Sequence, residues 1–333
     1  MRKKLLGAII LSIGLWGCFF GNKQEPEEPA PSYPGRIYIT LFDSTSNFLI
    51  YDKDALSQLA SHHLNFSYAP DMFVDGEAGY IASDSGLIIV DLARDDSISV
   101  AGFYPSSPSS VTESNGIAYV VSNDSILVLN VENPSSITLL GTFYDANYYH
   151  LEKLYLNKST LFVGSLFDGL IALDVSSTSS PTFLYRYSID GAFLQDFDIE
   201  NDYAVMAYGD SGLVIVDVSG SSPQKIGAFN PGYFARTVEA SNGYAYVVFN
   251  LDSGDSLLIL DITTPSSIKR VASLYLGNDI DRDFLADGRY YTLTNDWTTY
   301  TGRIIAVNVS DPSNASIDGD ISTNAPVSSF FVR

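Results

Sequence analysis

Residues 213–217 read LVIVD, and the same short aliphatic run closed by Asp or Asn recurs along the chain. It is FLIYD at 48–52, LIIVD at 87–91, ILVLN at 126–130, LIALD at 170–174, LLILD at 257–261 and IIAVN at 304–308. The closing residues are 39 apart at the closest (52 to 91) and 47 at the widest (261 to 308). A period of about 40–50 residues is the mark of an architecture in which one supersecondary unit stacks on the next.

The flanks repeat as well. Each run leads into a polar segment, often rich in Pro and Ser, such as NVENPSS (130–136) or DITTPSS (261–267), and then into a stretch such as ITLLGTFY (137–144). Ahead of the run lies an aromatic-rich stretch, YAVMAY (203–208) or YAYVVF (244–249). Before that stand Asp75-Gly76, Asn115-Gly116, Asn242-Gly243 and Asp287-Gly288. Asn-Gly and Asp-Gly between apolar runs favour the type I′ hairpin turn, because both residues tolerate positive φ. Each unit is therefore four strands, A to D, in an antiparallel meander. One such sheet cannot cover both of its faces, and four-stranded units at this period match propeller blades. The expected fold is all-β: a seven-bladed β-propeller of four-stranded antiparallel blades. The first unit opens at strand B, RIYITLF (36–42), while APVSSFFVR (325–333) reads as a strand A without its B. The C-terminal strand is expected to complete blade one, so that no edge is left open at the seam.

With LVIVD at 213–217 and its six variants, the chain resembles the LVIVD-repeat proteins of bacterial and archaeal cell surfaces, over about 36–333. The resemblance implies a β-propeller and carries no catalytic residues.

Composition narrows the function classes. Of 333 residues, 46% are hydrophobic and 17% charged, enough for a large core. Lys+Arg number 18 against 39 Asp+Glu, a net charge of −21, which argues against nucleic acid and anionic lipid as partners. A single cysteine excludes an internal disulfide framework and Cys-based zinc sites. That cysteine, Cys18, follows a basic start (Arg2, Lys3, Lys4) and an apolar stretch from Leu5 to Trp16, too short for a comfortable membrane span. Leu15-Trp16-Gly17-Cys18 resembles the lipobox of bacterial lipoproteins, with Trp16 departing from the small residue usual there. The expected organisation is a lipoprotein signal peptide over 1–17, a lipidated Cys18 with a Pro/Glu-rich tether over 18–35, and the propeller over 36–333. Such a protein belongs to the bacterial cell envelope, held at the outer membrane or cell surface by its lipid. A monomer without cofactor or metal is expected.

Several residue sets could carry chemistry. The Asp or Asn closing each strand C is read as a turn former accepting backbone N–H bonds. A second acidic set lies in the B–C turns: Asp43, Asp84, Asp124, Asp168, Asp210, Asp252 or Asp255, and Asp296. It shapes turns or forms an acidic rim. Aromatic loops at 143–151, with Tyr148 and Tyr149, and at 294–302, with Trp297 and Tyr300, belong to the same rim, because B–C and D–A connections share one end of the ring. Asp84, Asp124, Asp168, Asp210, Asp296, Tyr148, Tyr149, Trp297 and Tyr300 form the candidate binding rim. His62 and His63, adjacent in a strand D, point apart and suit no shared metal. GNDIDRDF (277–284) spaces its aspartates like an EF-hand start but lacks the Gly and the closing Glu, and reads as the loop into a strand A. The leading function is a non-enzymatic binding or scaffold propeller for an envelope or extracellular protein or glycan. The alternative is a glycan-active hydrolase or lyase using carboxylates near the channel mouth, with Glu113, Asp198 and Glu239 available.

Overall fold

The computed structural model describes residues 34–43 and 45–333. The expected signal peptide, Cys18 and most of the expected tether lie outside the described residues. Residues 34–333 form seven four-stranded antiparallel sheets. In blades 2 to 7 the strands follow chain order, with A strands at Asp71–Asp75, Pro108–Ser114, Leu151–Asn157, Asp196–Glu200, Phe234–Ser241 and Ile280–Ala286. Successive A strands touch one another and line the axis, whereas the D strands form the exposed circumference.

The strand C run is uninterruptedly apolar because it is covered on both faces. Seven core clusters each join two neighbouring blades; in one, Ile37 and Ile39 of blade 1 meet Tyr291, Leu293 and Ile304 of blade 7. The run then stops at an Asx turn. Asp91 accepts from Ala93 N at 2.9 Å, Asp174 from Ser176 N at 2.8 Å and Asn308 from Ser310 N at 3.0 Å, and the other four units repeat the bond. Hydrogen bonds from the side chains of Ser176 and Ser219, and then from their backbone N–H groups, hold the Asp174 and Asp217 carboxyls below their ordinary pKa. The Asn-Gly pairs adopt positive φ at both residues, 54° and 78° at Asn115-Gly116, as a type I′ turn requires.

In every blade a bulge interrupts the C–D pairing just before the turn, as at Ile89/Val90 and Ile215/Val216. A bulge twists the outer edge and makes it a poor template for further strands. Just past it, strand D receives the C–D turn of the next blade. A Cβ on Gly102 would run into the Pro134 carbonyl, and one on Gly227 into the Pro265 carbonyl. The Pro/Ser segments are therefore clamps between blades. Gly227→Ala is expected to cost about 1–3 kcal/mol by overpacking, read as a lower urea midpoint, whereas Gly191→Ala, with open space around its Cβ position, tests backbone strain alone.

The ring closes as the repeat offset requires. Val327–Val332 pairs antiparallel with Arg36–Leu41, and Arg36 and Arg333 exchange backbone hydrogen bonds of 3.1 and 2.9 Å. Thr40 Oγ1 lies 2.8 Å from both the Ser328 and Ser329 hydroxyls. A second bolt passes over this seam: Arg282 of blade 7 pairs with Asp71 of blade 2 at 3.0 Å and donates to the Pro70 carbonyl at 2.6 Å. Two details differ from the sequence reading. His63 lies beyond the end of strand D (Gln58–His62), and GNDIDRDF is mostly strand, since strand A already begins at Ile280.

Candidate functional site

Strand A runs from the D–A connection to the A–B turn, so the B–C and D–A connections gather at one rim. These connections contain no lysine and no arginine; apart from histidine, their titratable charge is aspartate. The opposite rim is mixed, with Lys53, Arg94 and Lys158 in its turns.

The rim aspartates hold the loops around them. Asp84 accepts from Ser67 N at 3.1 Å and Asp124 from His150 N at 3.0 Å, each across to a D–A connection. Asp296 accepts from Thr298 N and Thr299 N, and hydrogen bonds from Thr299 lead in holding its pKa below the usual value. Asp168 is buried, bonded to Ser165 and ion-paired with Arg186 at 3.3 Å. Asp255 is wholly buried and accepts from Ile280 N at 2.8 Å, so blade 6 presents Asp252 instead. Among the described residues, the Asp210 carboxylate has no hydrogen-bond partner; its backbone carbonyl accepts from Asn230.

Aromatic side chains collect at two places on this rim. In one, His150 and Tyr149 adjoin Phe167, and Phe167 meets Phe193 edge-on at 5.4 Å. In the other, Phe42 stacks on Tyr68 at 4.9 Å and meets Trp297 at 5.5 Å, with Tyr300 beyond it. Tyr148 joins neither group; it stacks on Phe183. Blades 4 and 1 centre the two groups, so they face each other across the axis. Phe193 is 50% and Trp297 61% exposed. His150 and Tyr300 hold positive φ of 52° and 58°, a costly conformation for bulky residues that persists where surrounding contacts impose it. Sequence reasoning found Tyr149, Trp297 and Tyr300 but missed Phe42, Tyr68, Phe167 and Phe193. Phe42 stands out in an otherwise polar connection, whereas Tyr68, Phe167 and Phe193 share theirs with Phe66, Leu166 and Leu194 and carried no such signal.

The channel holds a second cluster. Lys153 Nζ pairs with Asp196 at 2.7 Å, and Asp198, Glu239 and Asp283 lie close enough to act on it. Burial would lower the Lys153 pKa, but these carboxylates outweigh it and raise it. The Lys153 side chain is 37% accessible, so solvent in the channel screens part of this charge. Burial first, then neighbouring acids, pushes Glu239 well up, and Asp283 is pushed up to about 7. Two members have structural work: Asp196 accepts from Val238 N and Asp198 from Ala240 N, capping the free inner edge of the next strand A. Glu113 sits apart, accepting from Gly116 N in its own A–B turn. Among the described residues, no group of three His, Cys, Asp or Glu side chains is placed to hold a metal ion.

The LVIVD repeat family matches residues 67–117, 105–145, 161–189, 194–230 and 232–274, more than half of the chain. The chain belongs to the LVIVD-repeat family. No curated protein matches this LVIVD-repeat chain. Its fold is shared by a Lactobacillus plantarum protein (TM-score 0.70, 13% identity, 90% of this chain and 100% of that one). It is also shared by a Bacteroides uniformis protein provisionally described as a 6-phosphogluconolactonase (TM-score 0.73, 11% identity, 91% and 100%). A third is apo AztD from Citrobacter koseri (TM-score 0.65, 14% identity, 90% and 98%). At these identities the likeness is one of architecture, which hosts unrelated functions.

Proposed function

We propose that this LVIVD-repeat propeller is a non-enzymatic binding or scaffold protein of the bacterial cell envelope, lipid-anchored through Cys18, that receives a protein or glycan partner on the aromatic, acidic rim. The observation that carries the reading is the pair of exposed aromatic groups set among aspartates on rigidly held connections. Loops on a rigid scaffold are where recognition usually resides. The described chain enters at Arg36 on the opposite rim, which leaves the aromatic rim unobstructed by that entry.

The test is capture of ligands from envelope extract and on glycan arrays by wild type and by Asp84→Asn/Asp124→Asn/Asp210→Asn. Asparagine keeps the turn acceptors and removes charge. Loss of most captured ligand is expected; unchanged capture removes the rim from recognition. For the anchor, intact-mass analysis of the membrane-extracted protein is expected to show a diacyl or triacyl addition and loss of residues 1–17. A Cys18→Ala protein processed and located like wild type would end that part of the reading.

The hydrolase or lyase alternative is less well supported. Asp196 and Asp198 are engaged by backbone N–H groups, and the raised Glu239 and Asp283 are explained by burial beside like charges.

A further inference from the structure

We infer that the aromatic rim takes a cationic polypeptide segment, with arginine side chains laid over the exposed ring faces and paired to the aspartates beside them. This rests on the rim being the recognition surface and adds the chemistry of the partner.

The aromatic groups come first. Trp297, Tyr300, Tyr149 and Phe193 keep about half their surface in water while their neighbours fix their orientation. Such faces accept a sugar ring or a planar cation. The charge around them separates the two. The connections that carry these rings contain aspartate and no lysine or arginine, and the arginines of the adjoining strands are already paired with acids: Arg186 with Asp168, Arg236 with Asp255, Arg282 with Asp71 and Arg303 with Asp320. A neutral glycan can donate its hydroxyls to these carboxylates but gains nothing from their net charge. A guanidinium gains twice, from the ring quadrupole and from the carboxylate.

The carboxylates are also pre-oriented. Asp84 and Asp124 each commit Oδ1 to a loop N–H, which leaves Oδ2 aimed without a bond of its own. Holding acceptors in place before binding reduces the ordering cost on association. With the aromatic groups on opposite sides of the axis, a linear segment crossing the mouth meets both.

The test titrates fluorescent nona-arginine, nona-lysine and a neutral xylan against the full-length protein in detergent. Nona-arginine is expected to bind more tightly than nona-lysine and to lose at least about tenfold in affinity between about 50 and 500 mM NaCl. Asp84→Asn/Asp124→Asn/Asp210→Asn is expected to lose about tenfold. Trp297→Ala/Phe193→Ala should abolish the preference for arginine over lysine, and circular dichroism should confirm that these exposed changes leave the fold intact. Asp287→Asn/Asp311→Asn, on the opposite rim, should stay within about twofold of wild type. An equal loss in that last variant means general charge attraction and overturns the inference. Salt-independent binding of xylan, lost in Trp297→Ala/Phe193→Ala while the peptides do not bind, also overturns it but keeps the rim as a recognition surface. Ligands indifferent to every rim variant overturn both readings.

Discussion

A protein lacking residues 326–333 is expected to lose its cooperative fold rather than one strand. The deleted segment buries Val327, Phe330 and Val332, each at most 3% exposed. At ~1.5–3 kcal/mol for each fully buried side chain, their loss removes about 5–9 kcal/mol, comparable with the ~5–15 kcal/mol that keeps a typical protein folded. It also bares the apolar edge of Arg36–Leu41, an invitation to aggregate. Thermal melting and gel filtration should show a broad low-temperature transition and large assemblies. A permuted variant that places 326–333 before Arg36 through an Asn-Gly turn, the device of other blades, should restore the melt, because Arg333 and Arg36 already face each other. A deletion variant that melts like wild type would mean that the seam does not hold the ring.

Lys153→Met is expected to be the most damaging single substitution in the channel. Removing one partner of a fully buried charge set costs about 3–5 kcal/mol, because the remaining charges are left uncompensated. Here they are four carboxylates around one lysine. Solvent reaching the 37% accessible Lys153 side chain brings the figure below that range. The damage depends on pH. Asp283, pushed up to about 7 by burial and by the Asp196 charge, prefers its protonated form in the folded protein. A carboxyl raised in this way contributes stability that is complete below its unfolded pKa, ~3.9, and is lost as pH rises through about 7. The Lys153→Met deficit is therefore expected to be large at pH 8 and small at pH 5, where Asp283 and Glu239 take up protons. Asp283→Asn in the wild-type background should raise the melting temperature at pH 8 and leave it nearly unchanged at pH 5. A Lys153→Met deficit equal at both pH values would show that packing, not charge, is lost.

The propeller was legible because its determinants are local and repeated. The apolar run, its Asx turn and the Asn-Gly pair each act within a few residues, and seven copies average out the exceptions. The offset between the first strand and the last was legible too, since Gly35-Arg36-Ile37-Tyr38 matches Gly288-Arg289-Tyr290-Tyr291. The rim was legible only in part. Tyr149 and Trp297 stand in runs that look unusual by themselves, whereas Phe42 and Tyr68 gain meaning only when blades 7, 1 and 2 bring them together. The channel cluster was least legible. Lys153, Asp196, Glu239 and Asp283 come from four different blades, and no local pattern ties them. Asp283 sat within GNDIDRDF, whose spacing pointed to a loop, while strand pairing carries it inside.

The absence of lysine and arginine from the B–C and D–A connections has a practical side. Trypsin finds no peptide bond to cut in those loops, and amine-reactive reagents find nothing there to label. Among the described residues, Lys158, in a turn of the opposite rim, and the D-strand residues Lys225 and Lys269 are exposed to such reagents, whereas Lys53 is largely covered and paired with Asp287. Coupling to a solid support through these lysines leaves the aromatic rim turned toward the solution.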